Sequence, residues 1–314
     1  MALINNIDQL KETARVNADA QFGNYLIYLN DARDHFLVNY LGLPLVEKLE
    51  SIDPASTADV DKKYIRILPR VRRILGPYAI MLSTDEMSIL TGSSGHTVTK
   101  SDKLAPASDA KIAKSANSML ERAWLNLESL LEFLEENITD YPELKKSKYF
   151  TNRQTKYFSS ADVFQDAGLI DIDYSRLTFE KLRQLIIRIE ESEVTGFITD
   201  DIETFMLQPK DEEKEKAALL LKKVRAFIGS RVGELHTSDN TRKQRSKYNN
   251  LEYKAMIRPL YKDESDNNPN YYAEQSIFWK DKIISMLPDL GFEPDNSGKL
   301  DWNNEGKKIF SAIT

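Results

Sequence analysis

Between residues 108 and 138, apolar side chains return every three or four positions. The series is Ile112, Ala116, Leu120, Ala123, Leu127, Leu130, Leu134 and Ile138, and Met119, Trp124 and Leu131 widen it. That spacing describes one face of a helix, and about 30 residues at 1.5 Å each make a rod of roughly 45 Å. A rod with one apolar face must bury it against something. No heptad series runs far enough for an independent coiled coil, so the partners are other helices of the same chain.

Those partners are visible in the pattern. Residues 6–40 read as two helices, the first capped by Asn6 with Gln9 three positions on, the second carrying Phe22, Leu26, Leu29, Phe36 and Tyr40. Gly42 suits a positive-φ stop, and Pro44 can open a short helix over 45–49. Residues 60–81 are helical in period, but Pro69 and Pro77 predict a kink or a split. Gly92-Ser93-Ser94-Gly95 marks a small hairpin or loop. Further helices are expected over 161–167, over 179–191 with Thr178 as cap, and over 200–207, 217–235 and 271–286. The fold class is mainly α: a helical bundle with a small β-hairpin or loop insertion. The expected division is a helical core over 1–235 and a C-terminal extension or arm over 236–314, where long periodic segments become scarce.

Composition removes several functional classes. The 314 residues include no cysteine, which excludes disulfides, thiolate metal sites and cysteine nucleophiles. No apolar run approaches the roughly 20 residues that a membrane span requires, and the opening residues lack the basic start and apolar stretch of a signal peptide. The formal net charge is −6, so no global field draws the chain to nucleic acid. Residues 92–101 hold glycines and a Lys100-Ser101 pair but lack the Gly-Lys-Ser/Thr juxtaposition of a phosphate loop. His35, His96 and His236 are too scattered for a metal motif, Asp171 and Asp173 lack the rest of a calcium loop, and no Gly-x-Ser-x-Gly elbow is present. No catalytic, cofactor or metal residue is assigned, and the expectation is a protein that is not an enzyme and uses no cofactor.

Two basic clusters stand out as candidate interfaces. Arg66, Arg70 and Arg73 follow i, i+4, i+7 spacing, so one helical face can present all three, with Lys62 extending it. Arg242, Lys243, Arg245 and Lys247 form the second cluster. Each can be a solvated surface, a docking face for an acidic protein or a contact for phosphates. Tyr149, Phe150, Tyr157 and Phe158 interleave with Lys145, Lys146, Lys148, Arg153 and Lys156, a mixture that suits either stacked single strands or an interface.

Asp31-Ala32-Arg33, Tyr40-Leu41-Gly42-Leu43-Pro44-Leu45, Pro106-Ala107-Ser108 and the stretches 127–137 and 141–149 resemble a structural family of tailed phages and prophages of Bacteroides-type hosts, including crAss-like phages. The resemblance covers about residues 1–235. It implies a virion protein of the neck: a head-completion or head–tail connector subunit that forms a cyclic, twelve-fold ring with copies of itself. Such a ring joins the portal protein to other neck or tail proteins around the DNA channel, with at most transient, non-specific DNA contact and no membrane. Assembly in the host cytoplasm and residence in the virion neck or tail region follow from the same resemblance. A soluble host-side adaptor is the alternative, and a hydrolase without a recognisable motif is the more remote one.

Overall fold

The computed structural model describes residues 3–16, 20–87, 90–92, 95–97, 108–152, 155–167, 170–243, 258–259 and 269–293. The fold is mainly α. In chain order the elements are α1 (Ile7–Thr13), α2 (Leu26–Asp31), α3 (Val38–Leu41), α4 (Leu43–Ser51), α5 (Asp59–Met87), β1 (Leu90–Gly92), β2 (Gly95–Thr97), α6 (Asp109–Glu136), α7 (Lys148–Asn152) and α8 (Ala161–Ala167). They continue with β3 (Ile170–Asp171), α9 (Arg176–Ser192), α10 (Asp200–Leu207), α11 (Lys214–Lys243), β4 (Arg258–Pro259) and α12 (Pro269–Met286). β1 and β2 form an antiparallel hairpin with Thr91 opposite His96, and β3 pairs antiparallel with β4.

Two compact units divide the chain. The first holds Met1–Gln154 and Ser175–Lys181; the second holds Thr155–Tyr174 and Leu182–Gln244 together with β4 and α12. A boundary at residue 235 falls instead inside α11, which runs eight residues further to Lys243. The segment beyond it returns as α12, with Tyr272, Ile283 and Leu287 buried within the second unit.

The first unit is built on α5 and α6. Leu120, Ala123, Trp124, Leu127, Leu130, Leu131 and Leu134 of α6 are buried, as the apolar stripe requires. They meet Tyr64, Ile67, Leu68, Val71, Ile74 and Leu75 of α5. Each fully buried Leu or Ile contributes about 1.5–3 kcal/mol. That burial on both sides of the prolines accounts for the absence of a split: α5 is a single helix of 29 residues with Pro69 and Pro77 inside it. The lost hydrogen bonds cost less than breaking a packed face.

Local signals set the connections. The Asn6 side chain accepts from the Gln9 amide at 2.9 Å, while the Gln9 side chain accepts from the Asn5 amide at 2.9 Å, one residue earlier than a reciprocal cap would place it. Between α2 and α3 the chain widens into a π-turn, Ala32–Leu37, that carries Phe36 into the core. There Phe36 stacks on Tyr78 with centroids 4.0 Å apart and meets Trp124 edge-on at 4.5 Å. Arg33, on the same turn, holds Glu50 of α4 through two hydrogen bonds of 2.8 and 2.7 Å. Gly42 takes φ +79°, and a Cβ there would lie 3.0 Å from Ser147 Cα.

α9 starts three residues before the expected position, at Arg176 rather than Phe179, and Ser175 rather than Thr178 caps it: the Thr178 amide donates to Ser175 Oγ at 3.0 Å. Glu128 of α6 completes the cap, accepting from the amides of Arg176 at 2.6 Å and Leu177 at 3.1 Å and from Ser175 Oγ at 3.0 Å. A carboxylate at this end answers both the orphan amides and the positive pole of the helix.

Candidate functional site

From Lys62 to Thr84, α5 carries Lys62, Lys63, Arg66, Arg70, Arg72 and Arg73 and not one carboxylate. The buried stripe claims one face of this helix, so the basic residues are pushed to the others. Arg72 turns back and donates from Nε to the Leu3 carbonyl at 2.7 Å, tying down the N-terminal segment. Lys62 pairs with Asp59 at 2.6 Å, an exposed contact of little energetic weight.

Arg66 and Arg70 have a different support. Their guanidinium carbons lie 4.9 and 4.3 Å from the centroid of the Phe133 ring on α6. Each such cation–π contact is worth about 0.5–1 kcal/mol at an exposed site and, more usefully here, limits where the side chain can swing. Arg70 and Arg73 then line a cleft of about 200 Å³ whose other wall is Asn126, Ser129 and Leu130 of α6. Among the described residues, no carboxylate lies within ion-pair distance of Arg66, Arg70 or Arg73. The neighbouring Tyr141 hydroxyl feels this field: burial raises its pKa, and the charges of Arg66 and Arg70 pull it back. Tyr141 in turn donates to the Lys63 carbonyl at 2.9 Å, fixing α5 at the foot of the site.

The structure therefore brings together three members of the first basic cluster and adds Phe133, Asn126 and Ser129, which sequence reasoning missed. Their signal was present in the i, i+3, i+7 spacing along α6, on the polar side of its stripe. It acquires meaning only when α6 is packed beside α5. Of the second cluster, Arg242 and Lys243 end α11, whereas Arg245 and Lys247 lie outside the described residues.

The mixed aromatic and basic segment is not a stacking platform. Tyr149, Tyr157 and Phe158 are buried. Tyr149 donates from its hydroxyl to Glu135 at 2.5 Å, and the Arg225 guanidinium donates to the Tyr157 carbonyl at 2.8 Å. Glu190 in the second unit, only 3% exposed, accepts from the amides of Lys156 and Tyr157 at 3.0 and 3.1 Å. Burial raises the Glu190 pKa and these hydrogen bonds lower it. The network fixes the segment against the helices, and Arg153 lies outside the described residues.

Among the described residues, no group of three or more His, Asp or Glu side chains is arranged to hold a metal ion. His35 is exposed on the π-turn. No described helix is long and apolar enough to cross a membrane. What the α5–α6 site can do chemically is receive anions: guanidinium edges offer paired donors to a carboxylate or phosphate, and Ser129 and Asn126 add neutral polar groups beside them.

Residues 37–154 match the model of a family of unknown function, DUF6712, a segment that takes in α3 to α7 and with them the arginine face. No curated protein and no solved structure matches the chain.

Proposed function

We propose that this chain is a structural subunit of a phage neck, acting by docking rather than turnover. In this reading it forms a homo-oligomeric ring that joins the portal vertex to tail components around the DNA channel. The observation that carries the reading is the arginine face of α5. Three guanidiniums crowd one side of a helix with no carboxylate paired to them among the described residues. Like charges held together repel, and contact with an acidic protein surface relieves that repulsion while setting register. A rigid body supports the same role, since α5 and α6 share a buried apolar seam and present the site on regular elements rather than on a loop. The resemblance of the N-terminal two-thirds to phage neck proteins supports the location.

Mass photometry of the purified chain, alone and with its portal protein, tests the proposal. Ring-sized assemblies are expected, and the double substitution Arg66→Glu with Arg70→Glu should abolish them while leaving the helical circular-dichroism signal intact. A protein that stays monomeric alone and with the portal protein overturns the reading.

A further inference from the structure

We propose that the occupant of the Arg70–Arg73 cleft is a second copy of this chain, which inserts the carboxylates of Asp200 and Asp201 from the first turn of its α10. The inference rests on the reading of the chain as a self-assembling subunit and names the surfaces that meet.

The size of the cleft comes first. At about 200 Å³ it falls below the roughly 300–1,000 Å³ typical of sites for cofactors and small substrates. It suits the heads of one or two side chains. Its lining is chemically specific, with two cations and two neutral polar residues around a single apolar one, so it accepts acids and rejects apolar anchors.

The acidic counterpart lies on the second unit. α10 opens with Asp200, Asp201 and Glu203. Glu203 is already engaged by Lys156. Asp200 and Asp201 are exposed, and neither has a cation within ion-pair distance among the described residues. Successive residues on a helix project about 100° apart, so adjacent aspartates can address Arg70 and Arg73 separately.

Neither patch has an ion-pair partner among the described residues, and the two are complementary in charge. A contact of this kind is heterologous, since the arginine face of each copy meets the acidic turn of the next, and contacts of that type close into a ring when the rotation between copies divides a full turn.

Charge reversal tests the pairing. In mass photometry, Arg70→Glu with Arg73→Glu, and separately Asp200→Lys with Asp201→Lys, should each raise the midpoint concentration for assembly by about tenfold or more. Mixing the two variants should restore assembly, because each reversed face then meets its complement on the other variant. Arg73→Glu alone, which spares the Arg70 contact with Phe133, guards against a folding defect and should weaken assembly in the same direction. Several results would overturn the inference while leaving the neck reading standing. These are wild-type assembly by both double variants, loss in the arginine variant only, and failure of the mixture to recover. A further one is loss of duplex-DNA binding by the arginine variant with assembly retained, which would make phosphate the ligand. A wild-type chain that never assembles removes both proposals.

Discussion

Gly233 of α11 lies directly beneath the ring of Tyr272 on α12. An alanine Cβ at this position would sit 2.6 Å from Tyr272 Cδ1, 2.7 Å from Cε1 and 2.9 Å from Cγ. The ring has little space to retreat, being only 2% exposed. In an open helix, Gly→Ala gains about 1 kcal/mol from backbone entropy. Here overpacking costs about 3 kcal/mol, the upper part of the usual range, so Gly233→Ala should destabilise the α11–α12 pair by about 2 kcal/mol. Hydrogen exchange read by mass spectrometry on peptides from α11 and α12 measures this locally, and the loss should appear as roughly 30-fold faster exchange. Gly196→Ala is the control, since nothing lies within 4 Å of its Cβ, and it should leave exchange unchanged. In a Tyr272→Leu background the added methyl should be harmless, giving a coupling of at least about 1 kcal/mol between the sites. Unchanged exchange in Gly233→Ala, or strict additivity in the double variant, would refute the close-contact argument.

Two further outcomes concern the first unit. Burial raises the Glu128 pKa more than its hydrogen bonds to the start of α9 lower it, so the folded state holds this proton more tightly than the unfolded chain. The stability advantage of wild type over Glu128→Gln should therefore be full below the ordinary glutamate range and shrink as pH rises through the folded value; urea titrations across that range check the sign, and a gap that widens with pH contradicts it. Glu128→Ala should cost about 3 kcal/mol by stranding two amides of α9, seen as a lowered urea midpoint. Gly42→Ala should cost about 2 kcal/mol in thermal unfolding, because φ +79° penalises any Cβ and Ser147 crowds it; Ser147→Gly should rescue only part of the loss.

Much of the helical plan was legible because burial and period are coupled along one element. The α6 stripe appears in the structure with the named leucines inside, and α10 spans the expected residues. Boundaries failed where a tertiary contact supplied what the local sequence lacked. Nothing between residues 170 and 180 announces that Glu128, more than forty positions earlier, will accept the first amides of α9, so the local sequence points to a start at Phe179 with Thr178 as cap. For the same reason the prolines of α5 do not split it: their local cost is real, and the burial of apolar residues before and after them outweighs it.

The candidate site was half legible. Arginines at i, i+4 and i+7 define a face without knowledge of neighbours, but a face alone does not distinguish a solvated surface from a receptor. The proposed docking role rests on what the structure adds, Phe133 beneath two guanidiniums and Asn126 and Ser129 across the cleft, all on a helix separated from α5 by more than twenty residues. The opposite error occurred at residues 145–160. There lysines beside aromatics read as a binding surface until the rings proved to be buried, with Glu135 and Glu190 binding the segment to its helices. The two segments have similar ingredients and differ in where the carboxylates lie. A basic run whose own chain withholds the acids is free to meet an acidic partner, as proposed for α5, and one whose chain supplies them becomes ordinary architecture.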